Sequence, residues 1–280
     1  MPATIRVGTA AWSDHVDFYP PGVRGPERIA YYARHFSVVE VNASFYAVLP
    51  QRNYASWVDR TPDDFVFNVK ALGQLTGHVR SEPATPDHFT AFRASYAALR
   101  ESGKLGAVLF QFPPWFEDTA QARDYITWCV DLMQGDPLVV EFRNVTWMQE
   151  GHREDTLDFL RNLAVRHVTV DAPQTGTGTT ALVPAVTNPD LAYLRIHGRN
   201  TDTWYQSSEL SGGRFNYNYT ETELSGLADV ARQLASQAET LHIIFNNNVA
   251  GHGIRNARTM MRMLGLEIPE SDPVQATLDI

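Results

Sequence analysis

Short apolar runs rich in β-branched and aromatic residues recur along the whole chain. They lie at Ile5–Thr9, Val38–Asn42, Phe65–Lys70, Ala107–Gln111, Leu138–Glu141, His167–Asp171, Ala192–His197 and His242–Asn246. Helix-like patterns separate them, at about Glu27–Phe36, Tyr54–Asp59, Pro86–Ser102, Thr119–Gln134, Arg153–Val165, Thr222–Ala238 and Ile254–Gly265. The sixth connection, Ala172–Pro189, is rich in Thr, Gly and Pro and carries no helical pattern. Strands that alternate with helices predict βα units and a parallel sheet. Eight of them in one run without a linker predict a closed (β/α)8 barrel of the TIM type, a single domain over residues 1–280. An open doubly wound sheet should open on a glycine-rich phosphate turn, and Gly8-Thr9-Ala10-Ala11-Trp12 does not match that fingerprint. No Walker-type loop occurs either.

Side chains on a strand alternate between its two faces. One set stays apolar: Val39 and Val41, Phe67 and Val69, Val108 and Phe110, Val140 and Phe142, Val168 and Val170, Leu194 and Ile196. This set suits the face under the helices. The other turns polar toward each strand's C-terminal end: Glu40 and Asn42, Asn68 and Lys70, Gln111, Glu141 and Arg143, Thr169 and Asp171, Arg195 and His197. It should point into the barrel mouth, where barrel enzymes place their chemistry. Burying an ion costs several kcal/mol, so a purely structural barrel would fill these positions with Val, Ile and Leu. The competing explanation is a self-neutralising plug, with Glu40, Glu141 and Asp171 balancing Lys70, Arg143 and Arg195.

The chain has 280 residues and a net charge of −9, and this acidity excludes coating nucleic acid or an anionic membrane through bulk charge. The lone Cys129 excludes a disulfide framework and a cysteine-ligated zinc, and reads as a small buried side chain. No signal-like start and no apolar stretch of membrane length occur, so a cytoplasmic location is the expectation.

Within the mouth, Glu40, Glu141, Asp171 and His197 are the candidate catalytic residues. Lys70, Arg143, Arg195, Asn42, Gln111, Asn246, Asn247 and Trp12 are the candidate substrate-binding ones, with Arg199 a further anion contact. His78 and His252 lie in loops that reach the same end. Histidine beside carboxylates leaves room for a divalent metal, although no metal-binding spacing specifies one and no other cofactor is indicated. The connection from Gly198 to about Thr220 carries Trp204, Tyr205, Phe215, Tyr217 and Tyr219, a stacking surface or a loop pinned by its own rings. Phe45, Tyr46, Trp115 and Trp147 add to the rim.

The ordered set Gly8-Thr9-Ala10-Ala11-Trp12, Val39-Glu40-Val41-Asn42, Phe67-Asn68-Val69-Lys70, Leu109-Phe110-Gln111-Phe112-Pro113-Pro114, Val140-Glu141-Phe142-Arg143, Leu194-Arg195-Ile196-His197-Gly198-Arg199 and Ile244-Phe245-Asn246-Asn247 resembles the YecE-like family, domain of unknown function 72. The resemblance runs from about Ile5 to Leu264 and implies a TIM-type barrel; it implies no activity. Three functions follow from the residues. The first is a hydrolase or lyase acting on a phosphorylated or nucleic-acid-derived substrate, with nucleic acid a partner only through a local site, the second a glycosidase-type or sugar-processing enzyme, the third a barrel that binds a small anion without catalysis. If Glu141 serves a ligand, Glu141→Gln should leave the melting temperature nearly unchanged.

Overall fold

A computed structural model describes residues 2–205 and 211–268, apart from the side chains of 211 and 212. Residues 206–210 of the seventh connection, and the last twelve residues of the expected single domain, lie outside that description. Eight parallel strands close into one barrel in sequence order. They are β1 Thr4–Ala10, β2 Val38–Val41, β3 Val66–Lys70, β4 Leu105–Gln111, β5 Leu138–Glu141, β6 Arg166–Asp171, β7 Leu191–Ile196 and β8 Thr240–Phe245. The helices are α1 Arg28–Tyr32, α2 Gln51–Asp59, α3 Pro86–Ser95, α4 Ala97–Glu101, α5 Ala120–Leu132, α6 Arg153–Asn162, α7 Ser211–Arg214, α8 Glu221–Ala235 and α9 His252–Met263. No helix among the described residues is long and apolar enough to cross a membrane.

Two apolar layers follow from the strand alternation. Val39, Val41, Phe67, Val69, Val108, Phe110, Val140 and Leu194 pack outward with the helices. Ala10, Val38, Ala107, Leu109, Val139, Tyr193 and Ile244 fill the interior. The register is tight at β1, where a Cβ on Gly8 would stand 1.9 Å from the Val38 carbonyl oxygen, so only glycine fits beside β2.

Two expectations change. The continuous helix predicted over Pro86–Ser102 breaks at Tyr96 (φ −105°, ψ 23°) into α3 and α4. Asp136 accepts hydrogen bonds from the Tyr96 hydroxyl, Arg93 and Arg100 at that corner, an anchor that a straight helix would not present in this way. Strand β6 is also turned the other way round. Val168 and Val170 belong to the interior cluster with Leu109, Val139 and Tyr193, so Thr169 and Asp171 face outward. The cause lies in the helix-free connection. It runs over β6, and the Val183 carbonyl accepts from Thr169 Oγ1 and pairs with His167 Nε2 at 3.1 Å. Where a loop backbone covers a strand instead of an apolar helix, the outer face carries polar side chains and the inner face carries valine.

Candidate functional site

Arg195 on β7 is the centre of the barrel mouth. Its Nε and Nη2 donate to Glu40 Oε2 (3.0 Å) and Oε1 (2.7 Å), a two-pronged pair across from β2. Its Nη1 donates to Glu141 Oε2 at 2.8 Å and to Gln111 Oε1 at 3.0 Å. One guanidinium therefore joins β2, β4 and β5 to β7. Tyr193, two residues earlier on the same face, donates its hydroxyl to Glu40 at 2.9 Å and accepts from Asn68 Nδ2 at 3.0 Å. Asn68 Oδ1 in turn meets His242 Nδ1 at 3.1 Å, which carries the polar chain toward the opposite end of the barrel.

Glu141 also forms an ion pair with Arg143 Nε at 3.2 Å and meets His197 Nε2 at 3.1 Å. The other His197 nitrogen, Nδ1, lies 2.9 Å from Asn246 Nδ2, which can only donate. His197 is thus the Nε2–H tautomer, with both ring nitrogens occupied. Burial and the charge of Arg143 pull its pKa down to about 3, against the pull of Glu141, so the ring is neutral. Burial alone would raise the Glu141 carboxyl, but Arg195, His197 and Arg143 together outweigh it and hold the pKa well below the ordinary range. Burial likewise opposes the charge of Arg195, and the two carboxylates more than offset it.

Above this layer opens a cavity of about 280 Å³, lined by Asn42, Phe45, Tyr46, Lys70, His78, Gln111, Arg143, Arg195, Arg214, Phe215 and Asn246. Among the described residues, no aspartate or glutamate lies on its wall. Glu40 and Glu141 are completely buried beneath it. Lys70 Nζ sits 4.4 Å over the Phe45 ring, and burial with Arg195 nearby lowers its pKa to about 7. Arg143 stands 5.1 Å from the Trp204 ring, and its buried Nη1 has no hydrogen-bond partner among the described residues. Burial lowers even this guanidinium, to about 10. Asn42 Oδ1 is a second buried polar atom of the wall without a partner among the described residues. His78 Nδ1 lies 2.8 Å from Thr76 Oγ1, and burial with Lys70 nearby lowers the ring to about 4.

Of the residues expected to converge, Glu40, Asn42, Lys70, Gln111, Glu141, Arg143, Arg195, His197 and Asn246 do so. Asp171 does not. It is turned outward with the rest of that face of β6, and its carboxylate is held by Arg199 Nε and Nη2 and by the Tyr219 hydroxyl. Arg199 is thereby tied to Asp171 and Glu223 and is not on the cavity wall. Asn247 alternates away from Asn246 and donates to the Tyr217 carbonyl and Asn256. Trp12 packs edge-on against Trp57 at 4.9 Å, off the cavity wall. His252 is bound to Asn216 and Arg255 at the surface. Trp147 is buried among Phe116 and Phe142 and forms no part of the rim. For a metal, the described residues hold no group of three or more His, Cys, Asp or Glu side chains in binding reach of one another. Two participants went unrecognised in the sequence. Tyr193 shares the face of Arg195 and His197 at spacings of two and four, a signal that its aromatic character hid. Arg214 ends the four-residue α7 inside the seventh connection, too short for any periodicity to mark it.

Comparison with known proteins agrees with the architecture. The sequence matches Protein of unknown function DUF72 over residues 6–277. It is 35% identical to the UPF0759 protein YunF of Bacillus subtilis (strain 168), over 98% of this chain and 99% of the relative. A DUF72 family protein of Enterococcus faecalis v583, EF0366, superimposes with a TM-score of 0.88 at 30% identity, covering 96% of this chain and 98% of that one. TM1631 of Thermotoga maritima MSB8, another member, gives 0.82 at 29% identity over 94% and 99%. The chain belongs to the DUF72 family, whose (β/α)8 barrel carries in this member an arginine-centred polar mouth.

Proposed function

We propose that this barrel is an enzyme acting on a small phosphorylated substrate, whose anionic group is bound in the cavity at the C-terminal mouth. One observation carries the reading: among the described residues, the cavity wall bears Lys70, Arg143, Arg195 and Arg214 and no carboxylate. The self-neutralising plug needs three acids against three bases. Of those six, Asp171 is engaged with Arg199, which leaves Glu40 and Glu141 against Lys70, Arg143 and Arg195, an excess of one positive charge (3 − 2) while Lys70 is protonated. A cation in a low-dielectric recess attracts anions far more strongly than one in water, even on a protein of net charge −9.

The cations divide the work. Arg195 is held by two carboxylates and Gln111, so it forms a rigid floor to the recess, its own charge compensated by Glu40 and Glu141. Arg143 keeps Nη1 for a ligand oxygen. Lys70, titrating near neutral pH, can bind charge or move a proton. Phe45, Tyr46 and Phe215 offer faces for an attached ring. A cavity of about 280 Å³ admits a metabolite and excludes a nucleic-acid duplex. The glycosidase reading is disfavoured, because both candidate carboxylates are paired to one guanidinium beneath the wall and do not flank a space where a sugar bond could lie.

Millimolar inorganic phosphate should raise thermal stability saturably, by about 2.7 kcal/mol at a hundred times the dissociation constant. Sodium chloride at matched ionic strength should not. Arg143→Ala should lower the starting stability, since it unpairs one Glu141 contact, and should also remove the phosphate increment. Equal shifts with chloride and phosphate would overturn the anion site.

A further inference from the structure

The chain contains 21 arginines and only two lysines, Lys70 and Lys104. Lys104 is buried, and its ammonium donates to the Val58 carbonyl, the Thr61 carbonyl and Thr61 Oγ1 at 2.8–3.2 Å, a filled coordination that holds α2 against β4. Lys70 is the other. It lies on the cavity wall, over Phe45, and among the described residues no carboxylate lies within ion-pair distance of its amine. The nearby acids, Glu40 and Glu141, are both paired to Arg195.

If a positive charge were all this position required, arginine would serve it, as it does at 21 other places in the chain. An amine differs from a guanidinium in one chemical respect: it can lose its proton and attack carbon. We propose that Lys70 is a nucleophile that condenses with the carbonyl group of a small anionic aldehyde or ketone, forming an imine while the cavity arginines hold the substrate's negative charge. The inference rests on the anion-site reading above and adds the reacting group. In the step, the Nζ lone pair forms the new C–N bond and the carbonyl oxygen takes up a proton to give a carbinolamine. Loss of water then leaves C=N. The oxygen departs with the two amine hydrogens, and no oxidant or reductant enters.

The surroundings favour this. Arg195 and Arg143 are fixed cations beside the amine, and the Phe45 face sets its position. With a pKa near 7 in place of 10.5, the neutral fraction at pH 7 is roughly a thousandfold larger than for an ordinary lysine. Burial and the two arginines favour deprotonation, and Glu40 and Glu141 oppose it from the layer below.

The full chain treated with dihydroxyacetone phosphate and sodium cyanoborohydride should gain a reduced adduct, which peptide mass spectrometry would place on Lys70. Lys104 should stay unmodified. The rate should rise through pH 7, exceed that with neutral dihydroxyacetone, and fall when inorganic phosphate competes. Glyoxylate, a smaller anionic aldehyde, serves as the second probe. Lys70→Arg, checked for folding by circular dichroism, should lose the label. Absence of a Lys70 adduct with both probes, or labelling of Lys70 no faster than of Lys104, overturns the nucleophile. If phosphate still stabilises the protein in that event, the anion site stands and only the imine falls.

Discussion

A single residue, Arg195, determines what the neighbouring acids can do. Glu40 and Glu141 stand where barrel enzymes keep catalytic carboxylates, yet each is the counter-ion of one guanidinium. Removing one member of a buried pair leaves the other uncompensated and costs about 3–5 kcal/mol. The expectation that Glu141→Gln would be neutral is accordingly reversed. Glu141 receives Arg195, Arg143 and His197, and an amide must turn its own NH₂ toward one of those donors. Glu141→Gln should lower the denaturation midpoint substantially, by a free energy approaching the lower end of that range. A midpoint within error of the parent would mean that the carboxylate is held for a ligand and not for Arg195. The identities of these residues were legible, because period-two alternation puts Glu40, Lys70, Gln111, Glu141, Arg195 and His197 on one face. Their pairing was not. Charge signs alone allow three acids and three bases to be matched in several ways, and only the positions across the closed barrel decide that Arg195 takes two partners and Lys70, among the described residues, no carboxylate.

At the scale of the element, β6 shows where alternation fails. In the other five strands read this way, β2 to β5 and β7, the outer face is apolar, so reading the polar set as inward succeeds. Strand β6 lies under a loop whose carbonyls need donors, and Thr169 and His167 provide for one of them at Val183. The sequence of β6, His-Val-Thr-Val-Asp, alternates as cleanly as its neighbours, and only the lack of a following helix hints at the inversion. Asp171 consequently clasps β6 to β7 and α8 through Arg199 and Tyr219, outside the cavity. Asp171→Asn should reduce stability by about 1–3 kcal/mol, the cost of weakening a buried charged acceptor. It should leave the phosphate increment intact. Loss of that increment with unchanged stability would return Asp171 to the binding site.

Over the whole molecule, the buried histidines couple the fold to pH. His15, His167, His197 and His242 are each buried, and in each burial is the leading cause of a pKa lowered to about 3 or 4. Their unfolded values lie near 6.5. Between about pH 4 and 6.5 the unfolded chain therefore binds more protons than the folded one, and stability must fall as pH falls through that window. The slope is at most about 1.4 kcal/mol per pH unit for each histidine. Urea midpoints at pH 7.5, 6 and 5 should decline steadily; a flat profile would show that these rings are charged or exposed in the native state.

The same closure that buries the histidines concentrates Lys70, Arg143, Arg195 and Arg214 at one end of an acidic molecule, and the central claim is that this recess holds an oxyanion. The most direct measurement is a crystal structure of the protein soaked in tungstate, a tetrahedral oxyanion whose metal gives an unambiguous anomalous peak. The account predicts a peak in the mouth cavity, with its oxygens within hydrogen-bond reach of Arg143 Nη1 and Lys70 Nζ. A cavity without a peak, while surface arginines elsewhere carry one, would contradict it.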